Sequence, residues 1–394
     1  MIEKVIFLVS SPWTERDHQR FGVDTLEKKH GFKVGILDMT SILAPSANNT
    51  SVYSGYLSDR RIQILNDKES VARALAQLDA RTTFVFNELG EDPNRKFIYR
   101  LLSQCGLRQG ILTTNVQPLP PVSVKNLLSK LRDPSRAVAF LKARIEKNCS
   151  RVIDRIRPIP GVDLWVATNK QDMARYPFPR DKRTEILFGH ALDYDLYLNN
   201  GTPRRSLNGK TAVFIDQYLP YHPDFARFNI DCYVKAQTYY PALRRFFEFI
   251  KENTNATVEV AAHPRSDYSK HPESFAGYSI SKGETRDLVA RSCCVIAHNT
   301  TAVSFAVLYR KPIIFAMTRE LQVSPLQMHI QTLSGMLGKK PINIDGPLDR
   351  VDLNFEMTVN EEKYRAYRER FIKMPGTPEL PLWEIIAKRL EEYP

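Results

Sequence analysis

Short apolar runs alternate with longer amphipathic stretches twice along this chain, and that grammar restricts the fold before any motif is considered. EKVIFLVSS in the 3–10 region, FKVGILDMT at 32–40, TTFVFNE at 82–88 and GILTTN at 110–115 read as strands. A polar stretch through Lys28-Lys29, SVARALAQLD at 70–79 and RKFIYRLLSQCG at 95–106 read as helices, the last stopped by Gly106. Strands separated by helices of this length predict βαβ units and a parallel sheet. The pattern resumes with a strand TAVFIDQ at 211–217 and a helix YPALRRFFEFIKENT at 240–254, with Pro241 in its first turn. Leu243, Phe246, Phe247 and Ile250 make that helix's core stripe. Strands ending at His263 and His298, a helix at 302–309 and a strand KPIIFA complete the second half.

The prolines of VQPLPPV (116–122) separate the first sheet from the basic helices after it, and residues 158–200 join the halves. The expected organisation is α/β, with two Rossmann-like domains. Residues 1–200 form the first and include basic helices at 123–157; residues 201–379 form the second. A helix at 380–394, LPLWEIIAKRLEEYP, is expected to cross back to the first.

Composition closes several doors. No run of about 18 apolar residues occurs, so no transmembrane helix is expected. The start, MIEKVIFLVSSPW, lacks the features of a secretory leader, so a cytoplasmic chain is expected. The five cysteines include no CxxC pair, and Cys293-Cys294 sit in a core strand, which argues for inert thiols and against zinc. Neither GxxxxGK[ST] nor GxGxxG is present, so P-loop and NAD chemistry are unsupported. The net charge is +12, and between Lys125 and Arg157 ten basic residues face three acids. Val138, Leu141, Ile145, Val152 and Ile156 recur there at near-helical spacing. That basic amphipathic stretch is either a solvated helix face or a dock for the anionic inner leaflet of a membrane.

The chemistry is expected where strands end in polar clusters. His263-Pro264-Arg265 closes one strand and His298-Asn299-Thr300-Thr301 another. In open α/β sheets ligands bind beyond the carboxyl ends of strands, and helix starts offer free N–H groups to anions. A phosphate site is therefore expected, with Thr300 and Thr301 as cap and ligand together. GHALDYDLYL (189–198) gathers His190, Asp193 and Asp195, read as a strand with one face toward the cleft. Paired carboxylates beside histidine fit acid–base work or the binding of an acceptor hydroxyl. The aromatic, polar segment 216–240 joins a core strand to a core helix without a periodic pattern, as functional loops do. Asp216, His222, Asp224 and Asp231 are acid–base candidates there, and Cys232 is a polarisable neighbour of an acid. Asn87, Glu88, Glu91 and Asp92 follow a first-half strand and are read either as acceptor contacts or as acids at a helix start.

The run VFIDQYLPYHPDF…YYPALRRFFEFI…VEVAAHPRSDY…VIAHNTTAVSFAVLYRKPIIF, with ILFGHALDYDLYL upstream, resembles bacterial surface-polysaccharide glycosyltransferases that use CMP-activated 2-keto sugar acids. The resemblance is to the retaining β-Kdo transferases that cap O-antigen polysaccharides, and it is most specific across 186–316. Two α/β halves facing each other across a cleft are also expected to match the GT-B arrangement of glycosyltransferases, an architecture that epimerases and phosphorylases share. The resemblance implies a CMP-β-Kdo donor, a saccharide acceptor and no metal. Retention would proceed by double displacement through an aspartate that forms a glycosyl-enzyme ester. That aspartate aligns with position 232, where this chain carries Cys232; Asp231 is the competing assignment. A thiol there marks an impaired or trapping form of the enzyme, whether natural or introduced. On the same resemblance, His263, Thr300 and Thr301 would hold the CMP phosphate. One of His190, Asp193 and Asp195 would deprotonate the acceptor. An inverting transferase of CMP-sialic or other nonulosonic acids is the nearest rival. A non-catalytic protein that binds anionic polymers is the rival from another class.

Overall fold

The computed structural model describes residues 1–43, 57–89, 96–114, 116–121, 159–170, 178–198, 211–228 and 230–393. Seven strands build the first sheet: β1 (Lys4–Val9), β2 (Lys33–Asp38), β3 (Ile62–Ile64), β4 (Thr83–Asn87), β5 (Arg108–Thr113), β6 (Leu164–Ala167) and β7 (Glu185–Phe188). They lie in the order β3-β2-β1-β4-β5-β6-β7, and all neighbours are parallel. Six strands build the second: β8 (Thr211–Ile215), β9 (Thr257–Ala262), β10 (Ser279–Lys282), β11 (Cys294–Ala297), β12 (Ile313–Met317) and β13 (Ile342–Asn343). Their order is β10-β9-β8-β11-β12-β13, again wholly parallel. Every residue of β4, β6, β11 and β12 is buried, as a sheet covered on both faces requires. β6 and β7 belong to the first sheet, although residues 158–200 read in sequence as a connection between the halves. The short edge strands β3, β10 and β13 are absent from the sequence reading; β3 and β10 expose most of their residues and β13 is two half-buried residues long, so they carry little apolar signal.

The strand order reverses between β1 and β4 and again between β8 and β11. Each reversal opens a crevice at the carboxyl ends of the strands, the place where such sheets bind ligands. Three helices position the groups at these crevices. Helix α1 (Glu15–Arg20) follows β1 and starts with a capping box in which Thr14 and Asp17 satisfy each other's backbone N–H. Helix α2 (Leu192–Leu198) follows β7. Helix α3 (Ala236–Thr254) buries Tyr239, Leu243, Phe246, Phe247 and Ile250 against the second sheet. Each such side chain contributes roughly 1.5–3 kcal/mol by leaving water.

Two expectations are corrected. Residues 192–198 are helical, not a strand facing the cleft. Tyr194 is the helix's one buried residue, and an alternation of polar and apolar residues over so few positions fits either period. Helix α3 begins at Ala236, so Pro241 lies inside it rather than in its first turn. The earlier start depends on a distant group. The Glu320 carboxylate accepts from the Lys235 N–H (3.2 Å) and the Thr238 hydroxyl (2.9 Å).

The final helix, α4 (Leu382–Glu391), belongs to the core of the first domain. Its Leu382, Trp383, Ile386 and Leu390 pack with Val5, Phe7, Trp13 and Phe86. The Trp383 ring stands edge-on to Phe7 (5.2 Å) and Phe86 (5.1 Å), and its Nε1 donates to the Arg20 carbonyl at 2.9 Å. Gly22 makes room for it. Its φ is +56°, and a Cβ there would lie 2.5 Å from Trp383. The basic stretch at 123–157, Cys149, Glu91 and Asp92 lie outside the described residues. Among the described residues no helix is long and apolar enough to cross a membrane.

Candidate functional site

The second-domain crevice is built on a buried carboxylate. Asp216 ends β8 and is 2% exposed. It accepts from the Tyr268 hydroxyl (2.7 Å), the Tyr218 N–H (2.9 Å) and the His263 N–H (3.4 Å). Burial pushes its carboxyl up to about 6, while these donors pull the other way. The next residue, Gln217, receives the Asn299 N–H on its Oε1 (3.0 Å) and donates to the Asn299 carbonyl. One side chain thus spans the reversal between β8 and β11 and fixes the loop at 298–301.

His263 is half-buried just past β9. Its Nδ1 accepts the Arg265 N–H at 3.2 Å, which leaves the ring proton on Nε2. Burial, with His222, Arg265 and Arg16 nearby, pushes this imidazole down to about 3, so at neutral pH it is an uncharged N–H donor. His222 stands edge-on to it, with ring centroids 4.8 Å apart. Pro264 is exposed, and Arg265 pairs with Asp224 at 3.0 Å. Thr300 and Thr301 are half-buried before the helix Val303–Leu308. The Ala302 N–H reaches Thr300 Oγ1 at 3.3 Å, but no side chain caps the helix, so the expected cap is only a turn contact.

His298 is different in kind. It is fully buried; Nδ1 donates to the Ala316 carbonyl (2.7 Å) and Nε2 accepts from the Tyr239 hydroxyl (2.8 Å). With both nitrogens engaged inside the core it supports the loop from behind and offers nothing to a ligand. Cys232 is exposed beyond the second sheet. Its Sγ meets the carbonyls of Val234 (3.0 Å) and Leu219 (3.3 Å), and burial of the sulfur with Glu320 nearby raises the thiol above its ordinary value. Asp231 beside it is exposed.

The first-domain crevice has another character. Glu88 follows β4 and Asp193 opens α2, and burial pushes their carboxyls up to about 7 and about 6. Glu88 Oε1 and Asp193 Oδ2 are buried without a hydrogen-bond partner among the described residues. Arg20 acts on both acids, and Arg16 acts on Asp193 and faces Arg265 and His263 of the other domain. Solvent reaches Arg16, yet burial and neighbouring Arg20 lower its guanidinium's pKa, as on the wall of a cleft. The other two acceptor-side candidates are spent on structure. His190 is fully buried with Nε2 against the Leu380 carbonyl (2.8 Å), and Asp195 accepts the Leu382 N–H (2.7 Å). Both anchor the chain that leads into α4, and of the three Asp193 is the one that keeps a buried oxygen without a partner among the described residues.

Arg16, Arg20, Gln217, Tyr239 and Glu320 do not stand out in the sequence. The capping pattern Thr14-x-x-Asp17 directly after β1 is the readable signal for the two arginines. Tyr239 and Glu320 act through partners 59 and 85 positions away, for which a single sequence has no signal.

The domains touch where these loops meet. Asn299 Nδ2 donates to Gln117 Oε1 of the first domain at 3.3 Å, and Tyr197 packs on Tyr309 with ring centroids 5.3 Å apart. Two crevices joined in this way match known two-domain structures over the whole chain. The calicheamicin glycosyltransferase CalG4 superposes with a TM-score of 0.51 at 9% identity, covering 100% of this chain and 98% of that one. The glycosyltransferase of kitacinnamycin gives 0.50 at 11% identity, covering 99% and 100%. The chain has the GT-B fold. No protein-family model matches the sequence, and no curated protein is significantly similar to it.

Proposed function

We propose that this chain is a glycosyltransferase module that carries Kdo from CMP-β-Kdo to a saccharide acceptor of a bacterial surface polysaccharide, with retention. The observation that carries the reading is the convergence of His263 and the 298–301 loop on one strand reversal, with His263 held as a neutral Nε2–H donor. A neutral donor beside Arg265 and two threonines suits a phosphodiester monoanion and stabilises the departing CMP. The single phosphate of CMP needs less neutralisation than a diphosphate, so no metal is invoked.

In the form with aspartate at position 232, the carboxylate attacks C2 of the sugar as the C2–O bond to CMP breaks. The acceptor hydroxyl then displaces the ester and gives up its proton. Asp193 is the group assigned to that proton, because His190 and Asp195 serve the crossover. Cys232 lacks the carboxylate, and its raised thiol is a poor nucleophile at neutral pH. The module is placed in the cytoplasm, with the basic 125–157 stretch as its contact to the inner membrane.

The test is intact-mass spectrometry and turnover with CMP-Kdo, this chain against Cys232→Asp. We expect Cys232→Asp to raise turnover by at least ~10³-fold, the order lost when a covalent nucleophile is removed. A β-linked product by NMR is the second expectation. Unchanged activity removes the assignment of residue 232, and an α-linked product removes retention in favour of the inverting rival.

A further inference from the structure

Position 232 and the loop at 298–301 belong to different elements, yet three side chains tie them together, two of them in the core and one, Glu320, at the surface. Tyr239 stands in the first turn of α3 and is 0% exposed. Its hydroxyl donates to His298 Nε2 at 2.8 Å, and His298 Nδ1 donates to the Ala316 carbonyl on β12 at 2.7 Å. The His298 ring is further held edge-on by Phe214, with centroids 5.5 Å apart. A histidine with both nitrogens engaged has one tautomer and one orientation. The second tie is Glu320, three residues past β12. It accepts from the Lys235 N–H (3.2 Å) and the Thr238 hydroxyl (2.9 Å), at the start of a helix that has no N-cap side chain of its own. The intervening backbone is short, and the Cys232 sulfur is itself set against the Val234 carbonyl at 3.0 Å. The segment from 232 to 239 is therefore fixed at two points, one on the 298–301 loop itself through His298 and one just past β12, the strand paired with β11.

We infer that Tyr239, His298 and Glu320 are positioning residues that hold the side chain at 232 in register with an anion bound at the 298–301 loop. The inference rests on the proposed reading of that loop as a nucleotide phosphate site. It goes beyond that reading by assigning the alignment of donor and nucleophile to residues that touch neither. The physical basis is that a buried hydroxyl or carboxylate removed from such a network leaves its partner unsatisfied, and the backbone it held is free to shift. Shifts of an ångström at the reacting atoms are enough to slow a reaction by orders of magnitude.

The test uses this chain, with CMP as the probe and Cys232 as a built-in reporter. Calorimetry measures CMP binding, and peptide mass spectrometry measures the rate at which iodoacetamide alkylates Cys232 with and without CMP. We expect CMP to change that rate by about threefold or more, and Tyr239→Phe or Glu320→Gln to abolish the change while CMP affinity stays within about threefold. Tyr239→Phe keeps the ring and its packing, and Glu320→Gln lies at the surface side of the network, so the two do not share a folding risk. In the Cys232→Asp background the same substitutions should lower kcat about tenfold with the KM for donor nearly unchanged, a split that general destabilisation does not produce. Full retention of the CMP effect in both variants would overturn the inference, because the nucleotide then shields residue 232 directly. Loss of CMP binding in both variants would overturn it too, because the network then builds the pocket and does not align it. If CMP fails to bind the unsubstituted chain, the reading of the loop itself falls.

Discussion

The two crevices share one topology and differ in how their buried carboxyl groups are satisfied, although Asn299 Oδ1 of the second is also buried without a partner among the described residues. In the second domain the buried carboxylate, Asp216, accepts three donors, and His298 has a partner at each nitrogen. In the first domain Glu88 and Asp193 each keep a buried oxygen with no partner among the described residues. A satisfied network is rigid and specifies one geometry, whereas an unsatisfied buried carboxyl costs stability and is kept where it meets something else. The contrast suits a division of labour. One wall is preorganised for a ligand of fixed shape and charge, and the other presents proton-accepting groups to a neutral hydroxyl.

Substitutions in each wall test that contrast. The largest expected effect is on the satisfied side. Asp216→Ala strands the Tyr268 hydroxyl and two N–H groups and should cost about 3 kcal/mol at pH 7.5, read from urea unfolding. A loss under about 1 kcal/mol would remove the claim that this wall is held by its hydrogen bonds. On the other side the sign should invert. Folding raises the Glu88 carboxyl to about 7, so its protonated form is favoured below its unfolded value near 4.5, and that advantage is lost as the pH rises through 7. Glu88→Gln should therefore stabilise the chain by about 2 kcal/mol at pH 8 and leave it unchanged at pH 4.5. Destabilisation at pH 8 would mean that Arg20 and the Leu112 N–H outweigh the burial of the ionised carboxylate and would end the contrast.

Asp193→Asn sharpens the same point in function. In the Cys232→Asp background we expect kcat to fall about a hundredfold at neutral pH, the usual worth of a general base, with CMP affinity untouched. The acid limb near the carboxyl's value of about 6 should vanish from the pH profile. The smallest effect is expected at the 298–301 loop, where Thr300→Ala with Thr301→Ala should weaken CMP binding by roughly tenfold, about 1.4 kcal/mol. Unchanged affinity would move the phosphate away from these hydroxyls.

Most of this architecture is legible in the order of apolar runs, because parallel strands buried on both faces announce themselves without context. β4, β11 and β12 are of this kind, and the polar clusters that end β9 and β11 are legible too, whereas β6, equally buried, is hidden in a stretch that reads as a connection between the halves. The misreadings share a cause. His298 reads as a ligand because a histidine at a strand end is polar in sequence, and only the fold shows Tyr239 and Ala316 filling both its nitrogens. His190 and Asp195 read as catalytic because their partners, Leu380 and Leu382, are more than 180 residues away in the chain. The start of α3 is misplaced for the same reason, since Glu320 supplies what a local cap would have signalled. Local rules find elements, and they fail where a distant group completes one.

The last helix gives that lesson a temporal side. Trp383 and Leu390 fill the same core as Val5, Phe7 and Phe86, so an early and a late segment leaving the ribosome belong to one folding unit. The second domain, whose core is drawn from residues between Ala191 and Ile372, can condense while its neighbour still waits for a wall. A chain without Trp383 and Leu390 leaves Phe7 and Phe86 without the residues that cover them. The crossover leaves the core of the first domain incomplete until Trp383 and Leu390 are in place.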